Sequence, residues 1–560
     1  MAMKMRVGYA RRSYKGKVYE TPLVITSYRD EHGTPRNRTL ANLGNLPTFI
    51  VSLITEALKR GDATVLEEYV HIKEIVHQGA LIIGPAFVAF SVLGQLGIVQ
   101  LVKSCLPLKH FIAVMAIIVE RIIAPKPLSV MALQRRYEQE ASSFLLNERK
   151  APSLKTWYGA LAALEGKREE ILKALYSRNH MPGKLYLYDI TSSYFEGTTC
   201  PLADYGYNRD GKKGKTQVVI GIIADERGCP IWVDVFKGNT ADQTTVKGQL
   251  INLKEKLGLE EFIFVGGRGM VANARTAELE KEGWWESFSY ITALTREEMM
   301  KAVETQDHPV QLDLFDHHRL VEVEKDGTRY VLCHNPEREE KDRQARERLL
   351  HLTEEKLECI RRNVAAGRIK KKDVIAHRLY RWGNRWGMER FFELTYDEGT
   401  FACTRKEEEI TRYERLDGCY VIRSNAAQWR ETTEELRNHS KDLKYVEQAF
   451  RTMKTADIQT RPIRHFNEPN VRGHIVACFL AYRVIWELRR RLSSVLARDP
   501  ETKQCEAGSL ADIWRDLGTV SVAKLEARGK VYTKLSQISD PVKKILTLCE
   551  VPSLNEVASE

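Results

Sequence analysis

The order of apolar runs between Lys184 and Ala293 constrains this chain more than any other feature. Leu185–Ile190, Val218–Ala224 and Ile231–Phe236 are short apolar stretches, the second and third joined across Asp225-Glu-Arg-Gly228, and they read as three meandering strands. A helix pattern from about Ala241 to Leu257 follows, then a strand Phe262–Val265, a helix from about Ala272 to Lys281 and a strand Phe288–Ala293. The alternation of helix and strand in the second half implies that the later strands run parallel.

This is the element order of an RNase H-like α/β core, in which the ends of the first and fourth strands lie side by side. Acids placed there can share a metal. Around that core the chain divides into an N-terminal β element over 1–48, a helical, DNA-end-binding region over 49–180, a first core segment over 181–296, an inserted mixed α/β domain over 297–436, a second core segment over 437–496 and a C-terminal helical region over 497–560. The N-terminal β element is a hairpin pattern from Val18 to Leu43 that carries Arg29, Arg36 and Arg38. It and the helices behind it fit a reader of DNA ends, or equally a structural helical domain with a solvated basic face. The insertion includes a hairpin across Lys325-Asp-Gly327, a charged helix from about Arg343 to Ala365 and a β-like stretch from Arg390 to Ser424.

Three motifs carry chemistry. Leu185-Tyr-Leu-Tyr-Asp-Ile-Thr-Ser-Ser-Tyr-Phe-Glu-Gly197 puts Asp189 at the end of the first strand. Phe262-Ile-Phe-Val-Gly-Gly-Arg-Gly-Met270 breaks from strand into turn, with Gly267 where a strand-end acid is expected. Asp442-Leu-Lys-Tyr-Val-Glu-Gln-Ala-Phe-Arg-Thr-Met-Lys454 reads as a helix in which Glu447, Arg451 and Lys454 share one face, being spaced i, i+4 and i+7. Leu443, Val446, Phe450 and Met453 supply its buried stripe. Such a face alone is usually an ordinary salt-bridged surface; here it follows two strand-end motifs and precedes the basic segment Arg461-Pro-Ile-Arg-His465. No other acid replaces the missing one. Asp225 and Glu226 belong to a turn at the far end of the core, and Asp242 reads as a helix-start residue.

Composition narrows the partners. The chain has 86 Lys and Arg against 75 Asp and Glu, a formal charge of +11, which suits a polyanionic partner although many basic proteins share it. Ten cysteines without paired spacing read as reduced thiols, neither a disulfide framework nor a zinc site. The N-terminus has no apolar segment of a secretory signal. Ala80–Val102 is uncharged and long enough to span a bilayer, but Gly84-Pro85, Gly94 and Gly97 break it, which suits two short buried helices better. Arg368-Ile-Lys-Lys-Lys372 with Arg378, Arg381, Trp382, Arg385 and Trp386 fits either a phosphate-tracking surface with stacking indoles or core packing of the two tryptophans.

Taken together, Tyr188-Asp-Ile-Thr-Ser-Ser-Tyr-Phe-Glu-Gly197, Gly238-Asn-Thr-Ala-Asp242, Gly266-Gly-Arg-Gly-Met270 and Val446-Glu-Gln-Ala-Phe-Arg-Thr-Met-Lys454 with Arg461-Pro resemble the DDE transposases of bacterial and archaeal insertion sequences. The chain looks closest to the branch with a tyrosine–arginine–glutamate–lysine signature. The resemblance places the family's first acid on Asp189, its third on Glu447 and its signature lysine on Lys454, whereas the signature's tyrosine and arginine fall on Ser440 and Leu443, which match neither. The family's Asp-Arg-Gly-Met turn has Gly267 in place of its aspartate. By that resemblance Asp189 and Glu447 would hold Mg²⁺, with Mn²⁺ able to substitute, in a two-ion site with metals roughly 4 Å apart. Lys454 would contact a phosphate near the scissile bond, Arg268 and Arg451 would support the site, and Arg461 and Arg464 would contact DNA. The partners implied are double-stranded DNA, both terminal repeats and target, and a second copy of the chain, in the prokaryotic cytoplasm and without a membrane. The expectation is a transposase that cleaves and joins DNA, its activity impaired by Gly267. The rivals are a non-catalytic DNA-binding derivative and an RNase H-like nuclease, and the long insertion argues against the second.

Overall fold

The computed structural model describes residues 5–552 apart from 15–16, 62–75, 125–128, 149, 180–182, 198, 269, 271–277, 280, 285–287, 306–307, 309, 311–319, 387, 429, 455–457, 497–507 and 528–529. The helix expected over Ala272–Lys281 falls mostly outside the described residues, as do the side chains of Arg381, Trp382, Arg385 and Trp386. The chain forms two compact units, one drawn from Met1–Gly84, Gly518–Asp540 and Pro552–Glu560 and the other from Pro85–Leu517 and Pro541–Val551.

In the first unit, β1 (Met5–Tyr14), β2 (Lys17–Arg29) and β3 (Pro35–Asn42) form an antiparallel sheet. The expected hairpin is its second half. Its turn is fixed by Asp30, whose carboxylate accepts from the backbone N–H groups of His32 and Thr34 at 3.1 and 3.0 Å, so a short acid replaces the missing ladder partners. Arg36 lies opposite Tyr28 and Arg38 opposite Thr26, and Arg29, Arg36 and Arg38 are exposed. The helix Thr48–Arg60 follows and packs on β1.

Two readings of helix are corrected in this unit. β4 (Val76–Ile82) lies in the region read as helical over 49–180, and the strands Ser521–Ala527 and Lys530–Leu535 lie in the C-terminal region read as helical. These three form a second antiparallel sheet with Ser521–Ala527 in the middle. Each outer strand finds its backbone hydrogen bonds only on that central one, and β4 finds it far along the chain. Tertiary pairing of this kind overrides local propensity.

The second unit is built on one eight-stranded mixed sheet. Its strands are β5 (Leu185–Tyr194), β6 (Gln217–Asp225), β7 (Pro230–Lys237), β8 (Phe262–Gly266), β9 (Phe288–Ala293), β10 (Leu320–Lys325) and β11 (Thr328–His334). After a separate hairpin of β12 (Phe392–Asp397) and β13 (Thr400–Arg405) comes β14 (Cys419–Ser424), which completes the set. The spatial order is β10-β11-β14-β9-β8-β5-β6-β7. β5, β6 and β7 meander antiparallel, and β8 and β9 run parallel to β5. All of β6 and β8 and the first four residues of β5 are buried. Coverage on both faces explains why these strands read as unbroken apolar runs. The β6–β7 turn closes on Gly228 at φ 76°, a left-handed conformation that costs glycine no Cβ clash.

The sheet does not stop at β9. β14 pairs with β9, β11 with β14 and β10 with β11, so strands from 297–436 extend the core. The rest of that stretch has its own centre. The helix Pro336–Ala365, capped by the Asn335 side chain, buries Leu350, Leu357 and Ile360 on one stripe, and these pack with Ile375, Phe391 and Phe392.

Two helices complete the core. Thr433–Lys454 lies against β5, β8 and β9, and Glu468–Arg491 packs on Leu108–Ile123 and Leu154–Gly166. A Cβ at Gly473 would come within 1.9 Å of the Leu161 carbonyl oxygen, so only glycine permits that crossing. The apolar stretch near Ala80–Val102 forms part of β4 and the two helices Gly84–Gln95 and Ile98–Cys105, bent by 76° at the break. Among the described residues no single helix is long and apolar enough to cross a membrane. Nine described cysteines are free thiols.

Candidate functional site

β5 is longer than its apolar run suggests, because it continues to Tyr194 as the partner of β6. Asp189 is therefore inside the strand. Its other neighbour, β8, pairs only as far as Tyr188 opposite Gly266, so at Asp189 that side of β5 opens. Gly267 is the next residue of β8's chain. A Cβ there would lie 3.2 Å from Asp189 Oδ1 and 3.3 Å from Met270 Sδ. The Gly267 carbonyl accepts from the Met270 N–H at 3.1 Å and from the Thr292 hydroxyl at 3.2 Å. The backbone thus presents position 267 to Asp189, and glycine supplies no side-chain oxygen there.

Glu447 stands on the helix Thr433–Lys454, which packs on β5 and buries Val446, Ala449, Phe450 and Met453, and its charge acts on Asp189. Leu443, also expected in that stripe, is half-buried. Burial pushes the Asp189 carboxyl up to about 6; the Ile190 N–H and the Arg209 guanidinium oppose the rise, and the charges of Glu447 and Asp242 add to it. The rise is mainly the cost of holding a charge out of water, and the neighbouring acids add less to it. Asp242 is the first residue of the helix Asp242–Ile251, as its sequence position suggests. Both its oxygens accept from Arg209 Nη2, at 2.8 and 2.6 Å.

These donors do not fit a two-ion centre. Among the described residues no group of three or more His, Cys, Asp and Glu is placed to hold a metal. Mg²⁺ demands near-octahedral oxygen ligation, whereas here Asp189 faces a glycine and Asp242 is held by an arginine.

The basic residues divide. Lys454 donates to Asp210 Oδ1 at 2.9 Å, and the Arg461 guanidinium bonds the same carboxylate while its Nε donates to the Lys454 carbonyl at 3.2 Å. Burial lowers the Lys454 pKa, and Asp210 opposes the fall. Ile463 bridges to Phe195, and Glu196 N–H donates to the Ile463 carbonyl at 2.8 Å, which lays the Arg461–Arg464 segment beside the end of β5. Arg464 pairs with Glu196 at 3.1 Å and remains exposed. Arg451 and Glu447 line one cleft of about 380 Å³. Arg268 lines another, of about 520 Å³, with Tyr207, Arg209, Asn239 and Gln243.

Sequence reasoning missed the loop between β5 and β6. Arg209 and Asp210 organise the acids and bases just described, and Tyr207 borders the larger cleft. A signal was present in Tyr205-Gly-Tyr-Asn-Arg-Asp-Gly-Lys-Lys-Gly-Lys215, where two aromatic rings are followed closely by four bases, the residue types of a strand-tracking surface.

Residues 10–65 match the N-terminal domain of IS1634 family transposases, a match that supports an insertion-sequence transposase. No curated protein matches the chain. A piggyBac transposase synaptic complex with hairpin DNA aligns over 78% of this chain and 77% of its own at 10% identity, with a TM-score of 0.35, a likeness too distant to carry an argument.

Proposed function

We propose that this chain is a DDE transposase of an insertion sequence, with an RNase H-like core, that binds the ends of its element as double-stranded DNA and whose cutting is impaired because glycine stands in the second acid's place. One observation carries the reading: β5 and β8 run parallel, and their register sets position 267 against Asp189, with a would-be Cβ 3.2 Å from the carboxylate. That is where strand cleavage needs a second carboxylate. Asp189 and Glu447 are the acids that remain, and in a copy with an aspartate at 267 the three would form the set that Mg²⁺ or Mn²⁺ requires.

In this chain the residues support binding better than cutting. Arg464, Arg451 and Arg268 are the bases that face outward around the acids, suited to a phosphate backbone. Lys454 and Arg461 hold Asp210 and so act on the site's framework in the DNA-free chain. The second reading, a DNA-binding protein derived from a transposase, is favoured by the same glycine and differs only in whether any cutting survives. Homodimerisation on DNA and a cytoplasmic location belong to the proposal through the family resemblance.

The test is specific binding. A duplex carrying the sequence that flanks this chain's own reading frame should be bound in preference to a scrambled duplex of the same composition. Equal affinity for the two would remove the element-end reading.

A further inference from the structure

The loop between β5 and β6 is anchored by one buried carboxylate. The Asp210 side chain is 1% exposed and accepts from the Tyr194 N–H at 3.0 Å, from Lys454 at 2.9 Å and from the Arg461 guanidinium. Its own N–H donates to Asn208 Oδ1 at 2.9 Å, and Asn208 Nδ2 donates to the Lys212 carbonyl at 2.9 Å. A carboxylate is buried only when it is paired and bonded in this way, so the base of the loop is a built structure.

The loop turns large rings and bases outward. Tyr205 and Tyr207 are 67% and 81% exposed, and Lys212, Lys213 and Lys215 are exposed beside them. Large rings usually gain by burial; here they are left in water among bases. Tyr207 borders the cleft of about 520 Å³ whose other walls include Arg209, Arg268, Asn239, Asp242 and Gln243. The Arg209 guanidinium lies 5.5 Å from the Tyr207 ring centroid. The cleft adjoins the acids, since Arg209 is bonded to Asp242 and its charge acts on Asp189.

Resting on the DNA-binding reading above, we propose that this cleft is a subsite for one unpaired nucleotide of a DNA strand, with its base stacked on Tyr207 and its phosphate between Arg209 and Arg268. The size matches, because clefts of roughly 300–1,000 Å³ take ligands on the scale of a nucleotide and exclude a duplex. The chemistry matches as well: every base offers a face to an aromatic ring without regard to sequence, a guanidinium binds phosphate through paired N–H groups, and the side chains of Asn239, Asp242 and Gln243 can bond base edges.

The test compares a fluorescein-labelled oligothymidylate with a duplex of equal length, both titrated by anisotropy against the full chain in EDTA so that no cleavage intervenes. Tyr207→Ala should weaken oligothymidylate binding about tenfold, as loss of one base–aromatic stack does, and leave duplex binding within about twofold. Tyr207→Trp should bind the oligothymidylate at least as well as the unmodified chain. Tyr205→Ala, whose ring is off the cleft, should leave both affinities unchanged, and thermal melts of the three variants should match because the rings are exposed. The proposal is overturned if Tyr207→Ala binds the oligothymidylate normally, if it loses both DNAs equally, or if Tyr205→Ala loses as much. Failure of the unmodified chain to bind either DNA would remove the DNA-binding reading, and the subsite with it.

Discussion

Gly267→Asp should turn the acid pair into a metal-responsive site, and its cost can be worked from the geometry. The new Cβ would sit 3.2 Å from Asp189 Oδ1, tight but relieved by a small rotation of that carboxylate, so the two charges would settle about 4 Å apart and repel by about 4 kcal/mol at an effective dielectric of 20. The chain has a cheaper escape. Because the Asp189 carboxyl already stands at about 6, protonating it at pH 7.5 costs only about 2 kcal/mol. In EDTA at that pH the variant should therefore be less stable by about 2 kcal/mol, with the deficit fading toward pH 5. A divalent cation replaces the proton: at ten times its dissociation constant it returns about 1.4 kcal/mol. Thermal and chemical denaturation in EDTA, Mg²⁺ and Mn²⁺ would read this directly. The unmodified chain should show no specific response to either metal. An equal gain in both proteins, or no metal response in the variant, would refute the placement of position 267 beside Asp189.

Three further outcomes follow from the same contacts. Asp189 stands at about 6 against an ordinary 3.8, so the fold favours its protonated form and stability is lost as pH rises from about 4 through 6, by up to about 3 kcal/mol; Asp189→Asn should match the unmodified chain at pH 4 and exceed it above pH 7, and a variant destabilised at neutral pH would contradict this. Asp210→Asn removes the carboxylate shared by Lys454 and Arg461 and should cost about 3 kcal/mol, as breaking a buried pair does; a loss under about 1 kcal/mol in urea denaturation would show that the loop is held by other contacts. Arg464→Glu reverses an exposed charge, so it should weaken duplex binding and lower the slope of log affinity against log salt by about 1 while the melt stays in place; an unchanged slope would put the DNA elsewhere.

The sequence was most legible where chemistry is local. Apolar runs buried on both faces announced β6, β8 and β9 nearly to the residue and the start of β5, and the three-to-four spacing of Val446, Phe450 and Met453 placed Glu447 on the outer face of its helix. The Asp326-Gly327 pair between β10 and β11 adopts positive φ at both residues, 51° and 69°, as such a hairpin turn demands. What stayed hidden depended on distant partners. Nothing near Val76 reveals that Ser521–Ala527 will pair with it, and nothing near β9 reveals that β14 will extend the sheet. The site divided in the same way. Asp189, Gly267 and Glu447 were visible because strand ends and helix faces can be read locally, whereas Lys454 and Arg461 looked like free bases until Asp210, more than two hundred residues earlier in the chain, took them both.

If one missing carboxylate separates this chain from DNA cutting, a nicking assay should show it. A duplex carrying the sequence that flanks the chain's reading frame is incubated with Mg²⁺ and either the unmodified chain or Gly267→Asp, and nicks are resolved on a denaturing gel. The unmodified chain should bind but leave the strands intact, Gly267→Asp should nick them, and adding Asp189→Asn to that variant should abolish the nicks. Robust nicking by the unmodified chain, unaltered by Gly267→Asp, would contradict this.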